Sequence, residues 1–356
     1  MSSRPLTVLI IGTLPPPIGG AAVSLQHLIG TLSERKDFRV IAVNTGRVRG
    51  HPITGPFRFL WIAWRIFWGA CRADVVSLQP VPSGLPFIGP VVWGSVQLWR
   101  RPFMIRMFGG HDFLSVGGIR GYIVRFIVRS TDLYLAQTKA LVASANSDRL
   151  RRVEWYPTNR PMAPGGLPPL DPGKVCRRFV FLSHVKPSKG IGELVQAAEQ
   201  LEGEVQVDVY GPLLDGTTEA YFDGLRRVRY CGKIKPGAAD ELLPKYDALL
   251  LPTYWVGEGY PGIILEAFGA GLPVITTKWK AIPEIVDDTC GILVEPKSVD
   301  ELQSAMQKLI DDADLFRRLC NGVRARREFY STSRWVDEFA RFCRELADGE
   351  RQVTNR

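Results

Sequence analysis

Short apolar runs alternate with helical patterns along the whole chain, and this alternation constrains the fold more than any other feature. We predict five strands in the first half, with the sequences TVLIIG from Thr7, FRVIAVN from Phe38, DVVSLQ from Asp74, FMIRMF from Phe103 and LYLAQ from Leu133. We predict six more in the second half, with the sequences RFVFLS from Arg178, VQVDVYG from Val205, VRYCG from Val228, ALLLPT from Ala248, PVITT from Pro273 and GILVE from Gly291. Strands separated by helices are typical of βαβ units, so we expect an α/β protein with parallel sheets.

The length of 356 residues favours two domains, at about 150 residues for each. The segment from Tyr156 to Lys174 is dense in proline and glycine, which is typical of a linker. We therefore predict an N-terminal Rossmann-like domain over residues 1–160, a linker over 161–174 and a C-terminal Rossmann-like domain over 175–335. Residues 336–356 form a predicted C-terminal helix, which is a candidate to pack back on the N-terminal domain. Two such sheets would face a central cleft, because ligands bind outside the carboxyl ends of parallel strands.

Two apolar segments have to be weighed as targeting or membrane signals. The N-terminal run in MSSRPLTVLIIGTLPPP ends in three prolines without a small-residue cleavage site, so it predicts a first buried strand. Val75 to Trp99 holds no charged residue, but four prolines interrupt it, so we predict a strand, a loop and a buried helix there. The six cysteines are scattered, which fits free thiols in a reducing compartment. We expect a cytoplasmic protein.

Positive charge is concentrated in the first half of the chain. Residues 1–160 hold 20 Lys and Arg against seven Asp and Glu, whereas the whole chain has a net charge of +9. This asymmetry indicates that the first half meets a negative partner, for which an anionic membrane surface and nucleic acid are both candidates. No motif that reads nucleic acid accompanies the charge, so we expect no nucleic-acid partner.

The stretch Pro56 to Arg72 combines arginine with aromatic residues. Arg58, Arg65 and Arg72 recur every seven residues and so lie on one stripe of a helix. Aromatic rings interleaved with arginine suit the interface of an anionic membrane. The alternative is a helix that is packed against the sheet with its arginines in water, and the sequence slightly favours that alternative.

The segment EGYPGIILEAFGAG, from Glu258 to Gly271, places two glutamates around a proline-glycine turn after a predicted strand. Pro261 suits the first position of a helix, and the N–H groups of Gly262, Ile263 and Ile264 would then form an anion site. Glu258 and Glu266 would flank that site and accept hydrogen bonds from sugar and ribose hydroxyls. Alternatively, Glu258 only complements the helix dipole and Glu266 is a solvated helix residue.

These residues resemble glycosyltransferase family 4. The resemblance rests on EGYPGIILEAFGAGLPVITT, AIPEIV and GILVEP, and on two glutamates with seven residues between them. It implies a GT-B fold, with two Rossmann-like domains, and a retaining transfer from a nucleotide-diphosphate sugar. It extends to FLSHVKPSKG, PPPIGGAAVSLQHL, MFGGHDF and WYPTNRPM, and thus to nearly the whole chain.

The resemblance also implies roles for single residues. Lys189, Glu258 and His111 are the expected catalytic residues. The expected donor-binding residues are Gly19, Gly20, His184, Lys189, Glu258, Gly259, Tyr260, Pro261, Gly262, Ile263 and Glu266. His184 stands where the family carries an arginine, and a histidine does not replace a bidentate guanidinium. Asn159 lies near the asparagine of the family's hinge.

No acidic pair or HExxH motif with metal-ligand spacing is present, so we expect neither a metal nor a cofactor beyond the donor. The predicted function is a retaining, metal-independent glycosyltransferase of surface-polysaccharide biosynthesis, with a glycan or polyprenyl-diphosphate-linked acceptor. Its predicted location is the cytoplasm, where it could sit peripherally on the inner membrane face. A non-catalytic GT-B partner subunit and a GT-B sugar-nucleotide epimerase are the alternatives.

Overall fold

The structure is a computed structural model that describes residues 4–16, 19–46, 55–80, 84–109, 117–148, 150–171, 173–235 and 237–354. The chain divides into two compact units. The first unit combines Met1–Asn159 with Thr332–Arg356, and the second is the continuous segment Arg160–Ser331.

The first unit contains a six-stranded parallel sheet. Its strands are β1 (Leu6–Gly12), β2 (Phe38–Asn44), β3 (Val75–Gln79), β4 (Phe103–Arg106), β5 (Leu133–Ala136) and β6 (Val153–Trp155). They lie in the order β2-β1-β3-β4-β5-β6. The register pairs Val8 with Val40 on one side of β1 and with Val75 on the other. β3, β4 and β5 are buried along their whole length, as expected for a parallel sheet covered on both faces.

Six helices belong to this unit in the described part of the chain. They are α1 (Gly20–Ser33), α2 (Gly55–Arg72), α3 (Leu85–Trp99), α4 (Gly118–Arg129), α5 (Lys139–Ser147) and α11 (Thr332–Thr354). Helices α2, α3 and α4 lie side by side and bury Ile62, Val92 and Ile127 in the core of the sheet. The helix α11 packs against α1, and its residue Phe339 is fully buried.

The second unit contains a separate six-stranded parallel sheet. Its strands are β7 (Arg178–Leu182), β8 (Gln206–Tyr210), β9 (Val228–Tyr230), β10 (Ala248–Leu251), β11 (Val274–Thr277) and β12 (Gly291–Val294). They lie in the order β12-β11-β10-β7-β8-β9. The helices are α6 (Ile191–Glu199), α7 (Ala239–Leu242), α8 (Gly262–Ala270), α9 (Val299–Asp311) and α10 (Ala313–Phe329). A short 3-10 helix, Pro187–Lys189, precedes α6.

All eleven predicted strands are present, and the prediction of parallel α/β sheets is confirmed. The three-residue edge strand β6 was not predicted. The observed unit boundaries fall after Asn159 and after Ser331, so that residues 161–174 lie inside the second unit and α11 begins at Thr332.

The structure corrects the predicted packing of α2. Arg58 and Arg65 do not point into water, because their guanidinium groups donate to the carbonyl oxygens of Gly46 and Ala42. The aromatic side chains are exposed instead, with Trp64 at 60%. Likewise α3 buries only one side, since its Leu98 is 64% exposed.

Across the described ranges, no helix has the length and the apolar content that crossing a bilayer requires.

Candidate functional site

Lys189 is positioned by the connection from β7 to α6. The chain leaves the carboxyl end of β7, forms the 3-10 helix Pro187–Lys189 and turns at Gly190 into α6. Gly190 adopts φ +78°, and a Cβ there would overlap the carbonyl oxygen of Pro252, which follows β10. Because only glycine fits this close approach, Lys189 is held beside the segment that carries Glu258.

Lys189 and Glu258 form a buried ion pair. The Lys189 Nζ lies 2.5 Å from Glu258 Oε2, and each side chain is less than 10% exposed. The hydroxyl of Thr253, at the end of β10, donates to the same carboxylate oxygen over 2.8 Å. Desolvation makes such a pair expensive, and it is tolerated when further hydrogen bonds satisfy the charges. Buried charge at the carboxyl ends of strands therefore marks this place as a candidate site.

A second lysine accompanies Lys189. The ring of Trp255 has Lys189 Nζ 4.9 Å and Lys186 Nζ 5.3 Å from its centroid. Lys186 also lies 3.6 Å from the carboxylate of the exposed Asp215. The electron-rich face of the Trp255 ring attracts both ammonium groups and so helps to hold two positive charges close together.

His184 adds little positive charge to this cluster. Its pKa lies below the usual value for histidine, first because of partial burial and then because of the nearby Lys189 and Lys186. The imidazole is therefore mostly neutral at pH 7. Lys186, two residues further on, contacts the same Trp255 ring as Lys189 and is therefore a candidate for the role of the missing arginine.

The helix α8 begins at Gly262, one residue later than predicted, because Pro261 has extended backbone angles and is the N-cap. The prediction of three free N–H groups is also corrected, since the Ile264 N–H donates to the Pro261 carbonyl oxygen over 3.1 Å. Gly262 and Ile263 remain the candidate anion donors at this helix start. The preceding Gly259 and Tyr260 are buried, and the Tyr260 hydroxyl donates to Glu284.

Glu266 is held by a residue that the sequence analysis did not single out. Arg160 is 5% exposed, and its Nε donates to Glu266 Oε1 over 2.8 Å. A Cβ on Gly262 would overlap the same guanidinium group, so the glycine makes room for the arginine at the start of α8. The side chain of Glu266 is 25% exposed and paired with Arg160, which argues against the alternative of a solvated helix residue.

Two other predicted positions belong to the first unit. Gly19 is the N-cap of α1, and Gly20 is its first residue. A Cβ at either position would meet no atom of the described residues within 4 Å, so the described part of the chain leaves both open to a ligand's approach. His111 lies outside the described residues.

The second unit also contains a cavity of about 760 Å³ beside this cluster, lined in part by Pro187, Asp215, Tyr221, Tyr254 and Lys297. Lys189, Glu258 and Glu266 do not line it. In the described part of the chain, no group of three or more His, Cys, Asp or Glu side chains is arranged to hold a metal ion.

The second unit matches a known protein family. Residues 176–312 match the family model "Glycosyl transferases group 1". The chain is 30% identical over 164 residues to MMP alpha-(1->4)-mannosyltransferase of Mycolicibacterium hassiacum, over 43% of this chain and 39% of that protein. It is 27% identical over 150 residues to O-antigen chain mannosyltransferase B of Escherichia coli, over 38% and 37%. The match thus spans less than two fifths of the length of these relatives.

Solved structures match nearly the whole chain. The crystal structure of Anabaena Alr3699/HepE in complex with UDP superposes with a TM-score of 0.73 at 16% identity, covering 96% of this chain and all of that one. At this identity the likeness concerns the fold alone. The two six-stranded parallel sheets are those of the GT-B fold, and the predicted fold class is confirmed.

Proposed function

We propose that this chain, whose residues 176–312 are a glycosyl transferases group 1 domain and whose fold is GT-B, transfers a sugar from a nucleotide-diphosphate sugar. The observation that carries the proposal is the buried pair of Lys189 and Glu258, which lies in the same unit as Glu266 and the start of α8. The names of the two curated relatives, both mannosyltransferases, and the UDP in the Anabaena structure support it.

In the proposed complex the donor binds mainly to the second unit. Its diphosphate lies against the Lys189 ammonium group and the N–H groups of Gly262 and Ile263, where a helix start favours negative charge. Glu266, oriented by Arg160, accepts hydrogen bonds from the ribose hydroxyls. Glu258 accepts from hydroxyls of the transferred sugar. An ionised carboxylate only accepts hydrogen bonds, so it suits a ligand such as a sugar, whose hydroxyl groups donate them.

The proposed chemistry is stabilisation of the departing diphosphate. As the bond from the sugar to the phosphate breaks, negative charge grows on the diphosphate, and fixed cations and N–H dipoles stabilise it without reorganising. Lys189 and the start of α8 supply both, so we propose a transfer that needs no metal. The resemblance to glycosyltransferase family 4 implies that the transfer retains the anomeric configuration, and we include retention in the proposal. His111 would lie beside the donor sugar, and Gly19 and Gly20 would let the backbone approach the phosphate and the sugar.

The proposed acceptor is a glycan or a polyprenyl-diphosphate-linked glycan of a bacterial surface polysaccharide. The name of the O-antigen relative supports this class. The 20 Lys and Arg of residues 1–160, against seven Asp and Glu, also suit an acceptor that carries phosphate. A lipid-linked acceptor would bring the protein to the inner face of a membrane as a peripheral protein.

Calorimetric titration with UDP, GDP and ADP, each with and without EDTA, tests the donor site. We expect one diphosphate to bind at micromolar Kd, about −8 kcal/mol, whether or not EDTA is present. Glu266→Ala should weaken this binding about tenfold, because it removes a charged hydrogen-bond acceptor.

The matched control is Glu295→Ala, which removes a half-exposed glutamate elsewhere in the second unit and should leave Kd unchanged. If the folded wild-type protein binds none of the three diphosphates, the proposed function is wrong. Binding that disappears with EDTA would overturn metal independence alone.

The observation on His184 favours one second candidate, a non-catalytic partner subunit with the same fold. A neutral histidine at the family's arginine position weakens the hold on the diphosphate. Such a subunit would bind the nucleotide, but it would neither hydrolyse the nucleotide sugar nor transfer its sugar to an acceptor. The retained pair of Lys189 and Glu258 argues against it.

A further inference from the structure

Helices α2, α3 and α4 expose an unusual amount of apolar surface. Among the described residues, all eleven large hydrophobic side chains that the first unit exposes lie on these three helices, six of them on α2. Ile119 is 79% exposed, Phe57 74% and Tyr122 66%. We name these eleven side chains the apolar face. Monomeric soluble proteins rarely expose contiguous apolar patches of this kind without a partner.

The three helices that carry the apolar face pack directly against one another. The helix α3 packs against α2 on one side and α4 on the other. The rings of Phe67 and Trp99 lie 5.3 Å apart between α2 and α3, and those of Trp93 and Phe126 lie 5.1 Å apart between α3 and α4. The exposed side chains therefore lie on one packed layer of three helices.

The apolar face is distinct from the hydrophobic core of the unit. On α2, the buried Ile62 and Ile66 face the sheet, whereas Phe57, Trp64 and Trp68 recur at helical spacing on the exposed side. A helix that is apolar all round is normally buried on all sides. Within the described ranges this helix is covered on one side only, so its second apolar side is available to a partner.

The charge on these helices has one sign. The sequences of α2, α3 and α4 contain six arginines and no aspartate or glutamate. The guanidinium groups of Arg65 and Arg72 lie 4.9 and 5.9 Å from the ring centroids of Trp61 and Trp68. Exposed arginine and tryptophan side chains that contact each other are suited to the boundary between lipid headgroups and acyl chains, because each has an apolar part and a polar group.

We propose that the apolar face binds the surface of a bilayer that contains anionic lipids, with the aromatic side chains at the depth of the headgroups. Charge complementarity selects this occupant, because lipid phosphates pair with exposed arginines such as Arg72 and Arg120, whereas a second copy would bring arginine against arginine. The inference deepens the proposed function by naming the surface where a lipid-linked acceptor would be met. Only the statement that a lipid-linked acceptor is met there rests on the proposed function.

Sedimentation of the full chain with sucrose-loaded vesicles tests the proposal. The vesicles are phosphatidylcholine alone or phosphatidylcholine with phosphatidylglycerol, each at low and high salt. We expect the protein to sediment with the anionic vesicles, and to do so less at high salt because the arginine contribution is screened. Brominated lipids should quench its tryptophan fluorescence on binding.

The variant replaces one exposed side chain on each helix, Trp64→Ser, Leu98→Ser and Ile119→Ser. The partition coefficient should fall by at least about tenfold, since each substitution removes apolar area that the bilayer would bury. The control is Val175→Ser, an exposed apolar residue of the second unit, which should leave the partition unchanged. Both variants should keep the wild-type melting temperature and nucleotide affinity.

Three results would overturn the proposal. The wild-type protein could remain in the supernatant with every vesicle, or the triple variant could sediment as the wild type does. A concentration-dependent dimer that the triple variant abolishes would instead assign the face to contact between copies. None of these results depends on nucleotide binding, so the proposed glycosyltransferase function stands or falls separately.

Discussion

The pair of Lys189 and Glu258 places two full charges where water hardly reaches. Each side chain is less than 10% exposed, and Thr253 supplies one further hydrogen bond to the carboxylate. Replacing such a pair with apolar side chains often stabilises a protein, so stability alone gives little reason to keep it. This is the residue-level argument for a functional role at this position.

Glu258→Gln should lower the free energy of unfolding by about 3–5 kcal/mol, because it leaves the Lys189 ammonium group buried without a counter-charge. Urea denaturation at pH 7 measures the change. Diphosphate titration of the same variant at zero urea separates a loss of folding from a loss of affinity.

Glu295→Gln is the matched control for this substitution, since Glu295 pairs with Lys278 over 2.7 Å with both side chains about half exposed. Its cost should be about 0–1 kcal/mol. Equal costs for the two substitutions would show that the burial of the Lys189–Glu258 pair has no energetic consequence.

The sequence singles out Lys189, Glu258 and Glu266 as candidates, because each follows a recognisable strand and lies in a motif. Arg160 was missed for a physical reason. Its partner Glu266 is 106 positions further along the chain, and nothing in TNRPM indicates a buried arginine. A signal was present on the partner's side, at Gly262, whose missing side chain leaves room for a close neighbour.

At the scale of elements, the start of α6 depends on one glycine. Gly190 has a left-handed backbone and touches the carbonyl of Pro252, so Gly190→Ala meets both strain and overlap with the backbone. We expect a loss of at least about 2 kcal/mol in unfolding free energy. Diphosphate affinity should fall as well, because Lys189 precedes this turn.

Gly192→Ala, two residues further on, is the internal control. Gly192 lies in the first turn of α6, and its added Cβ would come no closer than 3.9 Å to the Tyr221 hydroxyl. The substitution should stabilise by about 0.5–1 kcal/mol through helix propensity. If both alanines are tolerated equally, the close approach at Gly190 is not a constraint.

The alternation of apolar runs predicted the elements well, because buried parallel strands are short and continuously apolar. β6 was not predicted, because its three residues, VEW, are too few to show a periodic pattern and lie at a half-buried edge of the sheet. The helix α2 was placed correctly, but its exposed side was not. Helical spacing shows which residues share a stripe, whereas tertiary packing decides which stripe meets the sheet.

At the scale of the whole molecule, two compact units predict two separable contributions to thermal unfolding. Phe339 of α11 and Phe181 of β7 are both fully buried, one in each unit. Phe339→Ala and Phe181→Ala should each cost about 3–5 kcal/mol. In differential scanning calorimetry the two variants should shift different parts of the endotherm.

Each variant serves as the control for the other in that experiment. A uniform shift of one single transition by both substitutions would show that the chain unfolds as one cooperative body.

The path of the chain has a consequence for biosynthesis. The first unit is built from residues at both ends, with α11 packed on α1 and the Tyr156 hydroxyl bonded to the Trp335 carbonyl oxygen. The second unit is one uninterrupted segment that ends at Ser331. On the ribosome, the second unit is therefore the first to have its full sequence, although its synthesis starts later. The first unit waits for α11 until the whole second unit has been translated, and a nascent chain stalled before Thr332 would carry a finished second unit and an unfinished first one.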